Sequence, residues 1–70
     1  MNVSDRVSLK RYLPGTSTLV TVYGTIQSIG VDTIGREEVA VLWDGDEPGD
    51  ETGEYPYNLT LVVQNSENTL

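Results

Sequence analysis

Leu19-Val20-Thr21-Val22-Tyr23-Gly24-Thr25-Ile26-Gln27-Ser28-Ile29 is the longest extended run in the chain, and its hydrophobic phase decides the fold. Val20, Val22, Gly24 and Ile26 share one face of a strand, whereas Ile29 falls on the other. A change of phase within one run of β-branched residues implies a bulge. A strand that bulges near a glycine bends sharply enough to serve two sheets, which is how very small barrels close.

Outward from this run the same period recurs. Gly30 to Gly35 reads as a connection, with Gly30, Asp32 and Gly35 as turn formers. Arg36 to Trp43 is a third strand, in which Val39, Val41 and Trp43 share the inward face and Glu38, Ala40 and Leu42 the other. Upstream, Lys10 to Thr18 is a loop holding the turn pair Pro14-Gly15, and Val3 to Leu9 is a first strand with Val3, Val7 and Leu9 on one side. Downstream, Asp44 to Glu54 contains Asp44, Asp46, Glu47, Asp50, Glu51 and Glu54 together with three glycines and Pro48; no core accepts such a stretch, so it is an exposed loop. Tyr55-Pro56-Tyr57 then reads as a short fourth strand; Pro56 has no N–H for a ladder, which places that strand on an edge or makes it very short. Leu59, Leu61 and Val63 share a face of the fifth. The expected organisation is one β domain over residues 1–63 and a polar tail over 64–70.

Size and composition narrow the chemistry. Seventy residues supply one hydrophobic core, and folding at this length buries only about 60% of the surface exposed by the unfolded chain. Cysteine and histidine are both absent, which removes disulfides, thiolate zinc sites, thiol nucleophiles and imidazole acid–base catalysis. Eleven acidic residues against four basic ones give a net charge of -7 and a pI near 4.1. A field of that sign repels nucleic acid and anionic membranes and favours basic partners. The first residues, Met1 to Arg6, lack the basic and apolar regions of a signal peptide, and no apolar run has the length that spans a bilayer; the expected compartment is the cytoplasm.

The order of strand, loop, bent strand, then Val39-Ala40-Val41-Leu42-Trp43-Asp44-Gly45, acidic loop and Tyr55-Pro56-Tyr57-Asn58-Leu59-Thr60-Leu61-Val62 resembles Src-homology-3-like barrels, and more narrowly their Tudor, KOW and mind-bomb-type branches. Asp5-Arg6-Val7-Ser8-Leu9 is similar to the Gly-Asp-x-Val opening of such barrels, with Val3-Ser4 standing where the glycine is usual. The resemblance implies an all-β, five-stranded Src-homology-3-like barrel with a long acidic loop between strands three and four. It also implies a binding module: members of the class take proline-rich peptides, methylated basic side chains, nucleic acid or ribosomal protein.

Each candidate site has its competing reading. Six like charges within the eleven residues 44–54 make a surface for a basic partner, or a solvated connection that keeps a small protein soluble. Asp44, Asp46 and Asp50, with Gly49, approach the spacing of a calcium loop, but Pro48 and Tyr55 occupy positions that need ligands, so no metal or other cofactor is expected. Tyr12, Tyr23, Trp43, Tyr55 and Tyr57 have the composition of a cation cage; Trp43, in phase with Val39 and Val41, reads instead as core, and Tyr23 as exposed. Arg6, Lys10, Arg11 and Arg36 are too few for a nucleic-acid patch. Glu37 and Glu38 alternate across a strand and the other acids lie on a water-exposed loop, so catalysis is not expected. The expectation is a non-enzymatic protein-interaction module that contacts a basic protein through Asp44, Asp46, Glu47, Asp50, Glu51, Glu54, Tyr55, Tyr57 and Tyr23. Its size and acidity suit a phage or mobile-element accessory protein acting on a basic host factor. The alternative is a structural component that forms a homo-oligomer or joins a larger particle through a sheet edge.

Overall fold

A computed structural model describes residues 1–63, and the expected polar tail 64–70 lies outside the described residues. Five strands follow in chain order: β1 (Arg6–Tyr12), β2 (Leu19–Val31), β3 (Glu37–Trp43), β4 (Thr52–Glu54) and β5 (Thr60–Leu61), with a 3-10 turn over Pro56–Asn58 between the last two. All ladders are antiparallel and form one sheet in the order β4-β3-β2-β1-β5. The expected barrel is therefore an open sheet in its hydrogen bonding: its outer members are β4 and β5, three and two residues long, and no ladder joins them among the described residues.

β2 organises the sheet as its phase change predicts. Leu19 to Thr25 pair with β1, Gly24 to Val31 pair with β3, and the register shifts between Ile26 and Ser28. Gln27 is the extra residue. The bulge rotates the strand so that Ile29 falls opposite Val39, on the same face as the Ile26–Val41 pair. That face holds the core: Val7, Ile26, Val39 and Val41 are at most 1% exposed, with Trp43 and Leu59 buried beside them. Fully burying an aliphatic side chain of this size is worth about 1.5–3 kcal/mol, so six residues give a modest reserve in which each matters.

At the centre of the face Gly24 lies opposite Trp43. A Cβ there would sit 2.6 Å from Val41 Cγ1, 2.8 Å from Trp43 Cε3 and 2.9 Å from the Leu42 carbonyl oxygen, so the strands and the indole close down onto bare backbone. The Trp43 Nε1–H donates to Thr52 Oγ1 at 2.8 Å, which gives the buried indole its hydrogen-bond partner.

Several expected boundaries move. β2 runs on to Val31, and the fifth strand contracts to Thr60–Leu61: Leu59 is buried at the end of the 3-10 turn, whereas Leu61 and Val63, expected on its face, are exposed. β1 begins at Arg6 because Asn2 to Asp5 form a tight turn: the Asp5 N–H donates to the Asn2 carbonyl at 3.1 Å, Asn2 N–H donates to the Asp5 carboxylate at 2.8 Å, and Ser4 takes φ 77°. Val3 is thereby turned outward, 53% exposed. At its other end β1 runs on to Tyr12, and the loop contracts around Pro14-Gly15, where Thr16 N–H donates to the Leu13 carbonyl at 3.0 Å and Gly15 supplies φ 76°. Strand four lies at Thr52–Glu54 rather than Tyr55–Tyr57. Thr52 pairs with Val41 and Glu54 with Val39, so Glu54 belongs to a strand and the acidic connection shortens to 44–51.

Two hairpin arms extend past the core. Tyr12, Leu13 and Leu19 are exposed on the β1–β2 arm, Val31 and Ile34 on the β2–β3 arm. The radius of gyration is 13.5 Å, against roughly 11 Å for a compact chain of this length.

Candidate functional site

The connection 44–51 begins where β3 leaves the core. Two reverse turns fold it, with Asp46 N–H donating to the Trp43 carbonyl and Asp50 N–H to the Glu47 carbonyl, both at 3.0 Å. Asp46, Glu47, Asp50 and Glu51 are exposed, and Glu54 is half-buried in β4. The Gly49 N–H donates to Glu51 Oε2 at 3.0 Å, and this bond holds the Glu51 carboxyl below its ordinary pKa.

Asp44 differs from the rest. Arg6 grips it with two parallel bonds, Nη1 to Oδ1 and Nη2 to Oδ2, each 2.7 Å, and Arg6 Nη1 also donates to Thr25 Oγ1 at 3.0 Å. The fork lowers the Asp44 pKa and raises that of Arg6. The Asp44 N–H donates to the Tyr23 carbonyl at 2.8 Å, so the first residue of the connection is fixed to β1 and β2 together. Among the described residues the salt bridges are Arg6–Asp44 and Arg36–Asp32; neither uses Asp46, Glu47, Asp50, Glu51 or Glu54.

Tyr55 and Tyr57 follow β4, at the end of β3 that begins with Glu37, their rings stacked with centroids 5.5 Å apart and planes 8° from parallel. Arg36 lies over the Tyr55 ring, its guanidinium carbon 4.8 Å from the centroid. The Tyr55 hydroxyl donates to Asp32 Oδ2 at 2.9 Å, and Arg36 Nε donates to the same oxygen at 2.9 Å. Asp32 Oδ1 accepts the backbone N–H groups of Ile34 and Arg36 at 3.0 and 2.8 Å. Desolvation opposes the Asp32 charge, but those backbone donors, the Tyr55 hydroxyl and the Arg36 side chain together hold its carboxyl below the usual range. The bond to Asp32, with partial burial, raises the Tyr55 pKa.

This cluster answers the question of a cation cage. The Tyr55 face already carries Arg36, a cation from the same chain. Trp43 is 4% exposed and belongs to the core. Tyr23, 46% exposed, lies on the outer face of the sheet, in a groove of about 650 Å³ lined also by Ser8, Lys10, Thr21, Asn58 and Thr60. The five aromatics are thus divided among the core, the Asp32–Arg36 cluster and the outer face of β1 and β2. The expected site residues divide too: the acids of 44–51 are contiguous, Tyr55 and Tyr57 form a pair, and the Tyr23 ring lies with the groove.

No family model, curated protein or solved structure matches the chain.

Asp32 and Arg36 carry no weight in the periodicity, yet they fix the position of Tyr55. The signal available was the Asp-x-x-Gly-Arg turn, since an aspartate that opens a turn accepts backbone N–H groups two and four residues on. Among the described residues no three acidic side chains converge closely enough to hold a metal ion.

Proposed function

We propose that this chain is a small non-enzymatic interaction module whose connection 44–51 engages a basic surface on a protein partner. The carrying observation is the separation of Asp44 from its neighbours: Arg6 neutralises Asp44 and ties down the root of the connection, while Asp46, Glu47, Asp50 and Glu51 project beyond it without a cation partner among the described residues. A fixed root with unneutralised acids concentrates negative potential over a small area, which accelerates encounter with cationic surfaces. Glu54 follows in β4 as one further acid, while the stacked Tyr55–Tyr57 pair lies at the opposite end of β3, against Asp32 and Arg36.

The fold reading that accompanies it is a Src-homology-3-like closure of the sheet. The division of β2 between two partners, the bulge at Gln27, the 3-10 turn between β4 and β5 and the burial of Leu59 against strands from both halves all support it. An assembly role is the second reading, favoured by the short outer strands β4 and β5, which leave strand edges uncovered.

Affinity capture from lysate with immobilised protein, followed by titration of the recovered partner, tests the first reading. Asp46→Asn, Glu47→Gln, Asp50→Asn and Glu51→Gln together abolish binding, and raising salt weakens binding by the wild type. Undiminished affinity of the quadruple variant removes the connection from the interface.

A further inference from the structure

The charges of this protein are divided along the chain. Residues 6–31 carry Arg6, Lys10 and Arg11 and no acidic residue, whereas residues 32–54 hold nine of the eleven acids. Folding turns that division into two unlike sheet edges. β5 covers β1 only at Val7 and Ser8, with one further bond from the Val62 N–H to the Arg6 carbonyl at 2.8 Å. Beyond Ser8, β1 pairs with β2 on one side, and its other side, from Leu9 to Tyr12, meets no strand among the described residues. Lys10, Arg11 and Tyr12 are exposed there, and neither Lys10 nor Arg11 takes part in a salt bridge of the described residues. At the opposite end of the strand order, β4 pairs with β3 alone among the described residues, so its outer side is likewise open there. That edge is flanked by Asp50, Glu51 and Glu54.

We propose that the β1 edge of one copy pairs with the β4 edge of a second copy, so that the chain self-associates head to tail. Unpaired strand edges are templates for main-chain hydrogen bonds, and the charges choose the partner edge. Two β1 edges brought together would set Lys10 and Arg11 against their own copies, and two β4 edges would oppose Glu51 and Glu54, so both like-with-like pairings are repulsive. The unlike pairing is attractive. The Glu38 carboxylate fills the space over Gly53, its Oε2 2.5 Å from where a Cβ would lie, and adds an acid to this edge for Lys10 to meet. Because the two edges differ, each copy presents one free edge after pairing, and association continues to a ring or a short filament rather than stopping at a dimer. The edges are only a few residues long, which places the contact at the weak end of specific association, at about millimolar dissociation constants.

Sedimentation velocity over a concentration series at low salt tests this. Wild-type protein shows a sedimentation coefficient that rises with concentration beyond the dimer value and falls back in high salt. K10E/R11E and E51K/E54K each remain monomeric, and mixing the two restores association between them. Circular dichroism verifies that each variant is folded, and the milder K10S/R11S, which removes charge without reversing it, weakens association and serves if the reversals do not fold. A concentration-independent monomer at low salt overturns the proposal, as does association that survives K10E/R11E or a mixture of the reversed variants that stays monomeric. K10E/R11E leaves the acidic connection intact, so its binding of a basic partner reports on that reading separately.

Discussion

Trp43 and Asp44 are neighbours in the chain and belong to regions that obey opposite rules. Around Trp43 the sheet is packed so closely that Gly24 has no room for a methyl group, and the indole N–H, the strand register and the bulge at Gln27 all depend on one another. From Asp46 to Glu51 every side chain is exposed and the backbone is held by two turns. Arg6 joins the two regions, reaching from β1 to the one acid that lies at the boundary. The difference teaches where this small protein keeps its stability and where its surface is free to serve a contact.

Gly24→Ala is expected to have the largest effect on the packed region. The added methyl meets Val41, the Trp43 ring and the Leu42 carbonyl, and backbone cannot yield as a flexible side chain does, so a loss of about 3 kcal/mol is expected in urea unfolding. Gly53→Ala meets only the Glu38 carboxylate end and serves as the tolerant control. Thr52→Val keeps the shape of β4 but leaves the buried Trp43 N–H without an acceptor; a loss of about 1–3 kcal/mol is expected, accompanied by a shift in tryptophan emission. Ser4→Gly acts in the other direction. Ser4 holds a left-handed conformation with φ 77°, and glycine there raises stability by up to about 1 kcal/mol in the same assay.

Removing the charges of Asp46, Glu47, Asp50 and Glu51 changes unfolding free energy by less than about 0.5 kcal/mol, since those side chains are exposed and a glutamine oxygen at 51 still accepts the Gly49 N–H; a larger loss would make the connection structural after all. Acid titration supplies the finest distinction. Asp32 and Asp44 have pKa values lowered by folding, so their contribution is fully present above the carboxylate pKa of the unfolded chain, about 4, and is lost as pH falls through the lower folded values. Asp32→Asn and Asp44→Asn each flatten that acid limb of a stability profile, and an unchanged limb in both would show that neither pair contributes.

The fold was legible wherever burial imposed a period of two. The inward faces of β2 and β3, the bulge and the Pro14-Gly15 turn follow from Val20 to Ile29, Val39 to Trp43 and the turn pair. β4 was hidden because Thr52-Gly53-Glu54 has no apolar residue; its place is fixed by the register on β3 and by the hydrogen bond to Trp43, which a local pattern does not contain. The start of β1 was hidden by Ser4, which adopts a conformation more usual for glycine and turns Val3 away from the face its spacing suggests. At the candidate site the exposed acids were evident from composition, whereas the capture of Asp44 by Arg6 and of Tyr55 by Asp32 and Arg36 depends on residues brought together from distant parts of the chain.

β5 carries a consequence for how the molecule comes together in time. The β1–β2 hairpin closes locally across Pro14-Gly15, and β3 follows through another tight turn, but β5 reaches β1 only after nearly the whole described chain has been threaded into place. That long closure costs the most chain entropy and, among the described residues, is secured by two ladder residues and the Val62 bond, so it is expected to form late and open early. Each brief opening bares the β1 backbone at Val7 and Ser8 and lifts Leu59 from its neighbours. Amide hydrogen exchange is therefore expected to be faster at this latch than along the seam at Gly24.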